Sequence, residues 1–148
     1  MVTVVVIAVL ASVALPYYLN SIRKGRRSDA VAALTALQQA QERWRANNQQ
    51  YTTSLSNLVP SLGASAATMN SASGYYSVSI DASAANTNST NYLLWAQAIP
   101  GTSQAGDTQC TSMQLQLFNG AVVYGSCAGC STVTAGAQVS DPKGCWAK

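Results

Sequence analysis

An α+β fold, in which a long N-terminal α-helix packs on a four-stranded antiparallel sheet, is predicted by three features of the 148-residue sequence. An apolar run opens the chain, an amphipathic helical pattern carries it to about residue 47, and four strand-like segments follow between residues 75 and 125. A cysteine-bearing loop closes the chain. The length suits one modest domain plus a helical stalk. The expected division is residues 1–24 as a hydrophobic helix half and residues 25–148 as a globular head that includes the amphipathic helix half.

Residues 1–15 (MVTVVVIAVLASVAL) are uncharged. As a helix they reach roughly 22 Å, short of the ~30 Å hydrocarbon core that about 20 residues cross. No positive charge precedes the run and polar helix-forming sequence follows it without a break, so it does not read as a signal peptide. The segment implies either a helix sheltered in a protein assembly or an N-terminus that continues upstream. Pro16 lacks the backbone donor a helix interior uses, which predicts a kink or local opening between about residues 8 and 16. Gly25 weakens a second point by about 1 kcal/mol relative to alanine. Tyr17 and Tyr18 suit an interfacial anchor or packing between neighbouring helices.

The basic cluster Arg23, Lys24, Arg26, Arg27 comes next. The positive-inside rule would hold it in the cytoplasm, whereas four cysteines between positions 110 and 145 point to a compartment where disulfides persist. A basic leader removed from the N-terminus reconciles the two, with the N-terminus inside and the body outside. The cluster itself fits a solvated helix face, contacts to lipid headgroups, or contacts to acidic groups of neighbouring subunits.

Ala30, Ala33, Leu34, Leu37, Ala40 and Trp44 recur at three- and four-residue spacing and form one apolar stripe. The Asn/Thr/Ser-rich stretch from residue 47 ends the helix, with a short helical turn expected near residues 55–58. Segments 75–80 (YYSVSI) and 113–118 (MQLQLF) alternate apolar with polar; 92–98 (YLLWAQA) is more continuously apolar and 121–125 (AVVYG) is short. Asn119-Gly120 is a strong type I′ hairpin signal, and residues 82–91 form the loop between the first two strands. Trp95, within a strand, reads as core.

The composition excludes several chemistries. Histidine is absent, so Ser-His-Asp and Cys-His catalysis and His-containing metal sites are ruled out. Five scattered acidic residues supply no paired carboxylates, and no glycine-rich phosphate loop follows a strand. No enzyme activity, cofactor or metal is expected. Cys127 and Cys130 form a CxxC that could be a redox pair or half a zinc site, but it follows a hairpin strand in a Gly/Ser-rich loop, which favours structural disulfides. The connectivity of the four cysteines stays open at this point. Residues 1–46 hold six basic and two acidic side chains, residues 47–148 two basic and three acidic. That balance argues against strong nucleic-acid binding by the head, which would need a basic patch.

Ala11, Ala14, Leu15, Pro16 and Tyr18 in the run 1–18, and Arg27-Ser28-Asp29-Ala30 after it, resemble the N-terminal helix of the type IV pilins, class IVa. Tyr51, Leu55 and Leu58, then Gln104, Asp107, Cys110, Gly120 and Cys145-Trp146, resemble the PilE-like branch of that family. The chain lacks the family's leader and its six opening residues, Phe-Thr-Leu-Ile-Glu-Leu, whose addition gives an apolar segment of about 21 residues, a membrane-spanning length.

The resemblance implies the pilin fold, with a disulfide-bounded C-terminal loop closed by Cys110–Cys145 and an additional local Cys127–Cys130 pair. It also implies a homo-oligomeric helical filament with other pilin subunits. Val2, Val5, Val6, Val9, Leu10, Val13 and Leu15 would pack in the filament core, or in the inner membrane before assembly, and the helix would break at Pro16. The pilus assembly machinery would be a partner, and the mature filament would stand on the surface of a Gram-negative bacterium, serving adhesion, twitching motility or DNA uptake. Two alternatives are a minor or competence pilin that binds DNA, not favoured because only Lys143 and Lys148 supply cations beyond the helix, and a type II secretion pseudopilin.

Overall fold

Helix α1 runs Val2–Arg45, 44 residues, and dominates the architecture. The structure, a computed structural model, describes residues 2–64, 66–130 and 136–146; within α1 the side chains at 2, 4–9, 11, 13 and 16 also lie outside the described residues. The packing residues Val2, Val5, Val6, Val9 and Val13 are therefore placed by backbone alone, as is Pro16. Lys148 lies outside the described residues.

The backbone is assigned helical throughout, Pro16 and Gly25 included. A proline withholds a single donor and a glycine costs about 1 kcal/mol. Neither loss ends the helix.

From Ala30 onward one face of α1 is buried. Ala30, Leu34, Leu37 and Ala40 lie under the sheet, and the first three pack with Tyr76, Val78, Tyr92, Leu94, Met113 and Leu115 in the main core. Trp44, placed in the same stripe by spacing, is only half-buried, in the wall of a groove at the end of the helix. A short α2, Leu55–Leu58, and a 3-10 turn at Pro60–Leu62 lead to the strands. Leu55 is buried against this core, so the turn anchors the loop.

The sheet has five antiparallel strands in sequence order, one more than expected. They are β1 Thr68–Asn70, β2 Tyr76–Ile80, β3 Tyr92–Ala98, β4 Ser112–Phe118 and β5 Ala121–Cys127. The added strand, β1, pairs Thr68 with Ser79 and Asn70 with Ser77. Its three residues at the sheet edge show too short a pattern to alternate, so only their pairing reveals them. Strand β5 extends past Gly125 because Ser126 and Cys127 continue the ladder opposite Met113 and Ser112. Asn119 (φ 49°) and Gly120 (φ 82°) join β4 to β5 with the two positive φ values of a type I′ turn.

Pleating sends Leu93 and Trp95 to the face away from α1, where Val139 covers them in a second, smaller core. Trp95 is core, but not of the helix-facing layer. Gln116 ties the C-terminal segment across this face. Its Nε2 donates to the Ala137 carbonyl (3.0 Å) and its Oε1 accepts from the Val139 N–H (2.9 Å). Disulfides join Cys110 to Cys145 and Cys127 to Cys130.

Candidate functional site

The four clustered cations of α1 take three different environments. Arg27 forms a two-pronged ion pair with Asp107, Nε to Oδ2 at 2.7 Å and Nη2 to Oδ1 at 3.0 Å, with the side chains 12% and 6% exposed. Such a fork fixes orientation as well as charge. Arg26 bonds the Ser103 hydroxyl and lies 4.4 Å above the Tyr75 ring. Arg23 and Lys24 project beside the 3-10 turn Ser103–Gly106 and carry no ion pair among the described residues.

The turn is held by Gln104, which is fully buried. Its Nε2 lies 2.9 Å from the Tyr76 hydroxyl, 3.1 Å from Asp107 Oδ2 and 3.3 Å from the Arg23 carbonyl. One amide thus ties α1, β2 and the turn together. Burial pushes the Tyr76 hydroxyl up to about 12, against the opposing hydrogen bond from Gln104, so it stays protonated at any physiological pH. Position 106 has no room for even a methyl group unless Arg23 moves, since a Cβ on Gly106 would stand 2.5 Å from Arg23 Nη2.

These residues wall a groove of about 610 Å³, lined by Tyr17, Asn20, Ser21, Arg23, Lys24 and Arg27 on α1 and by Gly106, Asp107, Thr108 and Gln109 opposite. Asp107 is occupied by Arg27, which leaves Arg23 and Lys24 to set the groove's sign. It is electropositive.

A second groove, about 800 Å³, lies at the C-terminal end of α1 between the loop after the helix and the loop before β3. Trp44, Asn48, Gln49, Gln50, Thr52, Asn57 and Ser89 are among its walls. Arg45 stands at its rim, donating to the Asn48 carbonyl (2.7 Å) and the Ser89 carbonyl (3.3 Å), while Arg43 is exposed nearby on the helix. Close by, the exposed Glu42 carboxylate accepts from the Tyr51 hydroxyl (3.2 Å) and the Tyr92 hydroxyl (3.0 Å). Both hydroxyls are pushed up, first by burial and then by the adjacent Glu42.

The cysteine-bearing loop is organised by Asp141. Its carboxylate accepts from the Ser126 hydroxyl, the Cys145 N–H (2.9 Å) and the Trp146 N–H (3.2 Å). Burial alone would raise this carboxyl, but the hydrogen bonds from Ser126, Cys145 and Trp146 outweigh it and the shift is downward. Trp146 donates to the Gly125 carbonyl (2.8 Å), and its ring lies 4.5 Å from that of Tyr124.

Towards the N-terminal end of α1, Leu10 (65% exposed), Leu15 (59%), Tyr17 (82%) and Tyr18 (65%) are exposed. Among the described residues no helix is long and apolar enough to cross a membrane, and no three Cys, Asp or Glu converge as metal ligands.

Helix α1 seated on an antiparallel sheet, with a disulfide-tied C-terminal loop, sets the frame for one comparison. A family model described as type IV minor pilin ComP, DNA uptake sequence receptor, matches residues 16–114. The chain belongs to this family of type IV minor pilins. No curated protein matches it. The matched segment starts at Pro16 and takes in the Arg27–Asp107 pair, both grooves and strands up to the start of β4.

The minor-pilin head is also more basic than a division of the sequence at residue 46 implied. The second half of α1 is packed on the sheet, so Arg26, Arg43 and Arg45 belong to the head surface together with Lys143. Sequence reasoning placed Gln104 and Asp107 in a spaced pattern but gave them no role. The partner of Asp107, Arg27, is 80 residues away, beyond any local signal.

Proposed function

We propose that this protein is a minor subunit of a type IV pilus that enters the filament through the apolar half of α1 and contacts DNA with its head during uptake. The observation that carries the reading is the match over residues 16–114 to a pilin family described as a DNA uptake sequence receptor. The head offers chemistry suited to it. Arg43 and Arg45 stand beside a groove walled by Trp44 and the amides of Asn48, Gln49 and Gln50, which pairs phosphate-seeking cations with a ring and with donors and acceptors for base edges. Before assembly the apolar helix half would lie in the inner membrane, and afterwards among the helices of neighbouring subunits, with the head on the pilus surface. The role is structural and binding, not catalytic.

Fluorescence anisotropy of a labelled duplex, titrated with the full chain in nonionic detergent, tests this. The reading expects saturable binding at micromolar affinity or tighter that weakens steeply with salt. In Arg43→Gln/Arg45→Gln the salt dependence should be shallower, by about one unit of log–log slope for each phosphate that is no longer neutralised. Absence of saturable binding at low salt overturns the DNA role and leaves a filament subunit without one. The near balance of Arg26, Arg27, Arg43, Arg45, Lys143 and Lys148 against Asp29, Glu42, Asp81, Asp107 and Asp141 is what favours that second reading.

A further inference from the structure

The groove between α1 and the turn at 106–109 is separate from the one whose rim Arg45 forms. Three features define what it would take. Arg23, which donates to Asn20 Oδ1 (3.4 Å), and Lys24 have no anionic partner among the described residues, because the one carboxylate in the wall, Asp107, is bound on both oxygens by Arg27. Neutral donors stand with them in the wall, the Ser21 and Thr108 hydroxyls and the Gln109 amide. The third feature is location. Tyr17 forms one end of the groove and is 82% exposed, towards the N-terminal end of the helix.

We propose that this groove holds the phosphate of an anionic phospholipid headgroup while the subunit waits in the membrane, with Arg23 and Lys24 as its ligands. The proposal rests on the reading above that the apolar half of α1 lies in lipid before assembly. If Tyr17 marks the hydrocarbon boundary, Arg23 and Lys24 sit about 9–10 Å further along the axis, at 1.5 Å per residue. The polar layer on each side of a bilayer is ~5–8 Å thick, so both cations reach it with their flexible stems. Tyr17 and Tyr18 suit that boundary, having an apolar ring and a polar tip.

A duplex would meet this groove less readily than a lipid does. The groove is flanked by Leu15, Tyr17, Tyr18 and Leu19, all exposed, which favour a surface with hydrocarbon beside its phosphates. A rigid anchor for the Arg23 end is also built in. Gln104 binds the Arg23 carbonyl, and the bare α-carbon of Gly106 leaves room for the guanidinium.

Native mass spectrometry of the full chain released from nonionic detergent micelles, with phosphatidylglycerol and phosphatidylcholine added in equal amounts, tests the proposal. Wild type is expected to retain phosphatidylglycerol over phosphatidylcholine by about tenfold, given two cations close to one anionic phosphate. Arg23→Gln/Lys24→Gln is expected to show no preference, and Gly106→Ala, which displaces the guanidinium without touching a charge, an intermediate one. Equal retention of both lipids by wild type overturns the proposal, as does an unchanged preference in the double variant. Displacement of the lipid by an equal concentration of glycerol phosphate would show that the free anion is the ligand and overturns the lipid assignment. Duplex titration of the same preparations separates the two readings. DNA binding without lipid preference sinks the headgroup site alone, lipid preference without DNA binding sinks the DNA role alone, and loss of DNA binding in Arg23→Gln/Lys24→Gln without any lipid preference in wild type assigns the groove to DNA.

Discussion

At the scale of single residues, Arg27 and Asp107 carry more of the architecture than their sequence positions reveal. Removing one member of a buried, hydrogen-bonded pair strands the other. Arg27→Ala would leave Asp107, 6% exposed, facing only the Gln104 amide, at an expected cost of about 3 kcal/mol in a urea unfolding curve. Arg27→Ala/Asp107→Ala is expected to recover part of that loss, because no charge is then left buried; a double variant less stable than the sum of the singles contradicts the pairing. Asp141 supplies a pH dependence with a definite sign. Its carboxyl titrates below the ordinary range when folded, so its contribution is fully present above the unfolded value of 3.8 and is lost as pH falls through the lower folded value. Urea midpoints of wild type and Asp141→Asn should therefore differ at pH 7 and converge towards pH 2. A constant difference across that range would rule out the role given to Asp141. Neither residue was legible as functional from sequence, since an acidic side chain announces its partner only once the chain has folded.

Among the elements, the ones with long periodic signals were legible and the ones defined by partners were not. The stripe Ala30, Leu34, Leu37, Ala40 and the segment 92–98 could be read directly, as could the Asn119-Gly120 turn, because periodicity and positive φ leave marks in composition. Strand β1 exists through its pairing with β2 and leaves no such mark. The two disulfides differ in expected weight. Cys110–Cys145 closes a long loop with a sequence separation of 35, whereas Cys127–Cys130 spans 3. In the loop-entropy account, Cys110→Ser/Cys145→Ser should cost about 3–4 kcal/mol and Cys127→Ser/Cys130→Ser far less. Equal losses for the two pairs, measured by urea midpoint, would show that the small ring has a structural role beyond loop closure.

Considered as a whole, the molecule is a folded head on a long helix that carries exposed apolar side chains towards its leading end. Leu10 and Leu15 are 65% and 59% exposed, and a row of large apolar side chains left in water marks a surface meant for other copies or for lipid. Packing of the second half of α1 on the sheet adds Arg26, Arg43 and Arg45 to the cations of the head, and Asp29 and Glu42 to its carboxylates, so its charge stays near balance. The pilin family was legible, through the residues of the run 1–18 and the spacing that follows, because those types recur at fixed places in the helix. The account's central claim is that this run joins the subunit to a pilus. Mass spectrometry of pili sheared from cells carrying wild type or Leu10→Asp, with total cell levels measured in parallel, tests it most directly. The account predicts wild type in the sheared fraction and Leu10→Asp absent from it while its head still folds and forms both disulfides; Leu10→Asp in the pili at wild-type abundance would contradict it.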